Sequence, residues 1–211
     1  MTSLYLVLNY ISKSIDEKVD KAKDIPSDTI ISVYDSVKYI AKDISSYLNF
    51  TPKISVNNIA VVKKELPILE LATLELKDVK YSYSWSDKWL NSEKKINING
   101  NFDIKFGFDL NKSFEINIDE TKKEISLTLP QPKILSIELK RSSLESEDGW
   151  INKINDNDRN IVLNSFITSA KKEFNKEVYF EKSRKNLENV FNKVLTKRLE
   201  DFNIKYIEDK L

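Results

Sequence analysis

Histidine and cysteine are both absent from the 211 residues. That excludes zinc sites built on those ligands, thiol nucleophiles, haem attachment, disulfides and any Ser-His-Asp triad. It also removes the one side chain whose unperturbed pKa lies near neutral pH. A cysteine-free chain fits cytosol, periplasm and exterior equally well. Glycine is nearly absent: Gly100, Gly107 and Gly149 are the only three. Three isolated glycines cannot build a Walker A loop or a dinucleotide fingerprint. Arginine is scarce too, with only Arg141, Arg159, Arg184 and Arg198 among 34 basic residues. Arginine supplies the bidentate fork that base and phosphate recognition favour. With a net charge of only +1, its scarcity argues against a nucleic-acid partner. No cofactor is implied.

A hydrophobic run of membrane-spanning length is also missing from the N-terminus. Met1 to Ile11 is mostly apolar, but Lys13, Asp16, Glu17 and Lys18 end the run early. A spanning helix needs roughly 20 apolar residues. The run lacks the basic leading region and small-residue cleavage site of a signal peptide. Its apolar positions Leu4, Leu8, Ile11, Ile15 and Val19 fit an amphipathic helix that docks on the core or on a second copy. The sharper expectation is the stub of a longer anchor.

What is present divides into three regions. After Pro26-Ser27-Asp28, apolar residues recur at Ile30, Val33, Val37, Ile40, Ala41, Ile44 and Leu48. That 3.6-residue recurrence predicts a helix with one buried face, ended by Asn49 to Pro52.

From about Ile54 to Lys140 the pattern changes to alternation. Even positions from Ile96 to Leu110 are apolar or glycine, and odd positions are polar or glycine. This predicts a half-buried strand. Fifteen residues would run roughly 50 Å at about 3.3 Å each, so a bend or bulge is expected at Gly100 or Gly107. Alternation continues in Phe114, Ile116 and Ile118 and resumes in Ile125, Leu127 and Leu129, with a hairpin turn at Asp119 to Lys123. Leu69 to Trp85 alternates as well. Its phase flips near Thr73 and near Lys77-Asp78, which predicts a bulge or short turn at each place.

The third region is helical. Val162, Phe166, Ile167, Ala170 and Phe174 form one stripe. Phe180, Leu187, Val190, Phe191, Val194 and Leu195 form a second. Asn203 to Ile207 fits an edge strand. The expected fold class is α+β: an antiparallel twisted sheet, a meander, with helices packed on one face. N-terminal helices precede it and a C-terminal helix pair follows. Residues 1–50 are expected as a helical segment, membrane-proximal or oligomerising, and 51–211 as the α+β domain.

Few residues suggest chemistry. Glu145, Glu147, Asp148, Asp156 and Asp158 gather in the connector around Trp150. Asp156-Asn157-Asp158 falls short of a calcium loop, which needs spaced acids, a central glycine and a bidentate glutamate. A solvated loop with Asp158 near a helix start suits it better. No catalytic or metal-binding residue is assigned. The aromatic run is more informative. Tyr81, Tyr83 and Trp85 share one strand face, and Trp89 is expected just past a short Ser86-Asp87-Lys88 turn. Such residues form a ligand platform or an interface hot spot, or else they pack under a helix.

Two segments resemble a known family. Gly100-Asn-Phe-Asp-Ile-Lys-Phe-Gly107-Phe-Asp109-Leu110 is similar to its signature, a glycine-led strand closing in Gly-x-Asp-Leu. Leu127-Thr-Leu129-Pro130-Gln-Pro132-Lys-Ile134-Leu135 resembles the strand and Leu-Pro stop that follow. The family is the bacterial domain-of-unknown-function family DUF4230, and the resemblance covers roughly residues 54 to 207. It implies no activity. It does imply a membrane helix ahead of the domain, where this chain has only Met1 to Ile11. From the residues themselves the motif reads as structural. Gly107 supplies a strained backbone or a bulge, so Gly107→Ala is expected to cost about 1 kcal/mol if its φ is positive. Asp109 can bond nearby amides where the strand turns. Pro130 and Pro132 stop the ladder or protect an edge.

Three functions follow as expectations. The first is a non-enzymatic interaction or scaffold protein of the bacterial cell envelope, membrane-associated, with an unknown protein partner or self-association. The second is a small-molecule or lipid-binding module, with an apolar ligand on the Phe-rich face Phe102, Phe106, Phe108 and Phe114. An enzyme working without histidine or cysteine is the third, and no spacing singles out its acid and base. A cytoplasmic location is the alternative to the envelope.

Overall fold

The structure is a computed structural model that describes residues 28–64 and 70–209. The stripe from Leu4 to Val19 and the Pro26-Ser27 cap lie outside the described residues. The chain falls into two compact units, each assembled from separated stretches of sequence. Among the described residues, one comprises those up to Leu71, Phe108–Gln131 and those from Lys185 on. The other comprises Ala72–Gly107 and Pro132–Arg184. The architecture is α+β, as the alternation and the helical stripes predict.

In the first unit the helical pattern forms α1, Asp28–Leu48. Val33, Val37, Ile40, Ala41, Ile44 and Leu48 are buried, so the 3.6-residue face is the core face. Asn49 ends the helix at φ 56°, a left-handed position that asparagine tolerates. The sheet runs in the order β2-β1-β5-β6-β8. Its strands are β1 (Lys53–Val56), β2 (Ile59–Val62), β5 (Glu115–Asp119), β6 (Glu124–Leu129) and β8 (Asn203–Glu208). The hairpin expected at Asp119 to Lys123 joins β5 and β6, with Asp119 opposite Glu124. Lys123 takes φ 52° in that turn. Asn203 to Ile207 forms an edge strand as expected, parallel to β6. β1 and β5 are also parallel. The antiparallel pairs therefore share a sheet with two parallel ones, which alternation alone cannot distinguish. Phe50, Phe114 and Phe191 stack edge to face and tilted in its core.

The second unit is built on three long strands in the order β3-β4-β7. β3 spans Glu70–Trp89, β4 spans Ser92–Asp109 and β7 spans Lys133–Glu147. Two helices follow, α2 (Asp156–Phe174) and α3 (Glu177–Thr196), and α3 gives this unit its residues up to Arg184. Both phase flips in β3 have a visible cause. Asp78 sits at φ 56° and accepts from the Asn101 side chain, so inward positions change from Leu74 and Leu76 to Val79, Tyr81 and Tyr83. Thr73 turns inward beside Leu74, where its hydroxyl lies 2.9 Å from the Ser183 carbonyl and 2.6 Å from the Ser183 hydroxyl.

Two expectations about β4 need correction. It is not interrupted at Gly100 or Gly107. The register shifts lie opposite it, at Asn101/Phe102 and at Lys105/Phe106, and place the extra residues Lys140 and Leu135 in β7. The extra residues are thus taken up by its partner β7. Gly107 has no positive φ. It pairs with Lys133 as ordinary ladder backbone, so the condition for a strain penalty in Gly107→Ala is not met. Gly100 is the glycine that matters. A Cβ there would stand 2.6 Å from Phe166 Cζ and 2.8 Å from Leu139 Cδ1, so it is where α2 approaches the sheet.

Candidate interaction surface

The aromatic run is split by the structure. Tyr81, Tyr83 and Trp85 lie half-buried on the face that α2 covers. Tyr81 stacks on Phe166 at 5.7 Å and meets Phe174 edge-on at 6.1 Å. Trp89 separates from them. β3 runs through Ser86-Asp87-Lys88 without turning there, and the turn comes at Leu90-Asn91, with φ 47° and 64°. That two-residue loop with both φ positive is the geometry of a tight hairpin, normally filled by asparagine, aspartate or glycine.

The Phe-rich face is occupied in both units. Phe102 packs on Phe166 and Phe174, and Phe106 on Tyr179 and Phe180. Phe108 and Phe114 are buried in the other unit. The signature residues are structural in their placement. Asp109 Oδ1 accepts from the Asn111 N–H at 3.1 Å, turning the strand at a buried Leu110. β6 ends at buried Leu129, and Pro130 follows before β7.

The polar centre of the second unit lies behind the hairpin tip. Lys94 is only 5% exposed. Its ammonium donates to Asp158 Oδ2 at 2.8 Å and stands 3.6 Å from Asp87 Oδ2. It also lies 5.7 Å from the Trp85 ring centroid. Asp158 also caps α2: its carboxylate accepts from the Asn155 N–H at 2.9 Å, while Asn155 Oδ1 accepts from the Asp158 N–H. The hydrogen bond from Lys94, then that from Asn155, hold the Asp158 carboxyl below the usual aspartate range. The bond to Asp158 raises Lys94 above the usual lysine range, against the pull of desolvation. Ser92, fully buried, accepts at Oγ from the Ile151 and Asn152 amides at 3.0 and 3.1 Å. Asn152 Nδ2 reaches Asp87 Oδ2 at 3.1 Å. Gly149 fits between, since a Cβ there would press on Ser92 Oγ and on the carbonyls of Asn152 and Glu93.

These bonds tie the loop after β7 to the β3–β4 tip. Four large apolar residues are left in solvent there: Trp89 at 56% exposure, Leu90 at 67%, Trp150 at 74% and Ile151 at 43%. Single exposed apolar residues are ordinary, but a group on a fixed scaffold marks a contact surface. The sequence pointed to Trp89. It did not single out Leu90, Ser92, Lys94, Trp150 or Gly149. A leucine inside a tight turn and the Asp148-Gly149 turn pair were the available signals.

At the far end of the same unit lies a groove of about 520 Å³. Ile134, Leu135 and Ile137 of β7 face Thr168, Lys171 and Lys172 of α2 across it. Leu135 is the bulged residue, and a bulge re-aims a side chain.

Asp87, Lys94 and Asp158 of the tip are engaged in pairing and capping. Among the described residues no three acidic side chains converge as a metal site would require. No described helix is long and apolar enough to cross a membrane. Fold and site define a small α+β protein that offers a hydrogen-bonded apolar tip and an apolar groove. The chain belongs to the family of proteins of unknown function DUF4230, whose model matches residues 63–205. No curated protein and no solved structure matches it.

Proposed function

We infer that the chain is a non-enzymatic interaction or scaffold protein of the bacterial cell envelope, and that the hairpin tip is its contact surface. One observation carries the reading. Leu90 occupies a left-handed turn position, which the Cβ of an L-residue makes unfavourable by about 1–2 kcal/mol, and it does so while 67% exposed. Neither backbone nor core gains from leucine there, which supports a role in contacting a partner. Trp89 and Trp150 beside it are of the type that dominates interface energetics. The envelope location rests on the family resemblance, which implies a membrane helix commonly placed ahead of the domain. The lipid-binding alternative loses its motive, because the phenylalanine face is filled by the protein's own rings.

Leu90→Asn tests the tip. The variant is expected to be more stable by roughly 1 kcal/mol, because asparagine tolerates the turn. It is also expected to lose association. Denaturant unfolding reads the first effect, and native mass spectrometry of chain purified from its own cells reads the second. Unaltered association would remove the tip from the contact. A monomer carrying a bound lipid would favour the binding-module reading instead.

A further inference from the structure

The strand end leading to the tip carries two acidic side chains, and the groove rim carries two lysines. On the tip side, Glu145 and Glu147 precede Trp150 and make no ion pair among the described residues; Lys95, opposite Glu147 in the ladder, and Lys153 are engaged with Glu93 and Asp148, and Lys88 beside Trp89 is the exposed cation left there. On the groove side, Lys171 and Lys172 likewise make no ion pair among the described residues, while their neighbour Glu173 is held by Lys176. The last turn of α2 favours these cations through the helix dipole, which explains one lysine pair but not its place on the rim of an apolar groove. The groove's volume lies within the roughly 300–1,000 Å³ of ordinary ligand clefts. It is therefore large enough for a bulky side chain from a tip.

Their placement within the unit is equally informative. The groove uses Ile134–Ile137 at the start of β7, and the tip follows Glu147 at its end. The groove also uses Thr168–Asn175 at the C-terminal end of α2, and the tip precedes its N-terminus. At about 3.3 Å per residue, the 15 residues of β7 hold the two surfaces tens of ångströms apart. One copy cannot satisfy both by itself.

We propose that the acidic apolar tip of one copy, led by Trp89, Leu90 and Trp150, seats in the lysine-rimmed groove of a second copy. This rests on the interaction reading above and supplies its partner. The contact is head to tail, so it leaves a free tip and a free groove at the ends and extends into open chains or closes into rings. Apolar side chains at the centre of the contact exclude water. Glu145 and Glu147 against Lys171 and Lys172 set orientation, and the association weakens as salt screens them.

The experiment uses the full chain, followed by sedimentation equilibrium over a wide concentration range. Trp89→Ala with Trp150→Ala removes the tip, and Lys171→Glu with Lys172→Glu reverses the groove. All four side chains are exposed, and circular dichroism checks that both variants fold. Wild type is expected to grow with concentration beyond a dimer. Each variant alone is expected to associate at least about tenfold more weakly. Mixed, the two variants should form a one-to-one pair and nothing larger, because one intact tip meets one intact groove. A mixture that stays monomeric overturns the proposal. A wild-type assembly that survives both variants also overturns it, but leaves the scaffold reading standing with another surface. A strictly monomeric wild type that still enters a complex in its own cells, lost on removing the tip, replaces the second copy with a different partner. A monomer that enters no complex ends both readings.

Discussion

Gly100→Ala is expected to destabilise the second unit by about 1–3 kcal/mol, the usual range for overpacking a dense core. The added methyl would stand 2.6 Å from Phe166 Cζ, 3.2 Å from Phe166 Cε1 and 2.8 Å from Leu139 Cδ1. Leu139 can turn its terminal methyl aside. Phe166 cannot do so cheaply, because its ring is fully buried between Tyr81 at 5.7 Å and Phe102 at 5.4 Å. Relief therefore requires α2 to lift from β4 along the Val162, Phe166, Ala170 stripe. Gly107→Ala is the comparison in the same strand, free of a positive-φ penalty. Denaturant unfolding of both variants separates the two roles. Equal midpoints for Gly100→Ala and wild type would refute the close helix approach.

The second large effect belongs to Lys94. Lys94→Met leaves the Asp158 carboxylate buried with only the Asn155 amide as its remaining donor. Asp158→Asn leaves the ammonium with Asp87 at 3.6 Å. Removing the lysine is therefore expected to destabilise more than neutralising the aspartate, because a lone buried charge is the worse outcome. The double variant should recover part of the loss, since the stranded charge goes with it. Additive losses would mean the two groups do not act as a pair.

The same pair fixes a pH dependence. The folded pKa of Asp158 is depressed. Its contribution is present above the unfolded value of about 3.9 and is lost as pH falls through the folded one. The folded pKa of Lys94 is raised. Its contribution is present below the unfolded value of about 10.4 and is lost as pH rises through the folded one. Between these limits both groups stay charged. The chain has no histidine to titrate in between. Stability should thus be nearly level from about pH 5 to 9 and fall towards the acid and alkaline limits. A step near neutral pH would contradict the pairing.

Much of the fold was readable in the residues. The period of α1, the β5–β6 hairpin, both phase flips of β3 and the two C-terminal stripes follow from which side chains repeat and at what spacing. Family membership was readable in the glycine-led strand and the Leu-Pro stop. The candidate site was less so. Trp89 stood out by residue type, but the turn was expected three residues early, because Ser86-Asp87-Lys88 looks more turn-like than Leu90-Asn91. Lys94 stands beside Lys95 in the sequence with no apolar spacing to mark it, and its burial depends on Asp158, 64 residues away.

The sequence by itself determined the class of the protein and its limits. Missing histidine and cysteine, with only three glycines, excluded whole chemistries, and the two hydrophobic periods set which segments become strands and helices. Those are local properties, readable from neighbours along the chain. Tertiary structure alone decided that β1 pairs with β5 and β6 with β8 in parallel, and that a side chain at Gly100 would meet Phe166 and Leu139. It also decided that Lys94 is buried and that Trp89 and Trp150 share one tip. Each of these depends on which residues meet across long loops, and the energies that choose the partners belong to the folded contacts rather than to either segment.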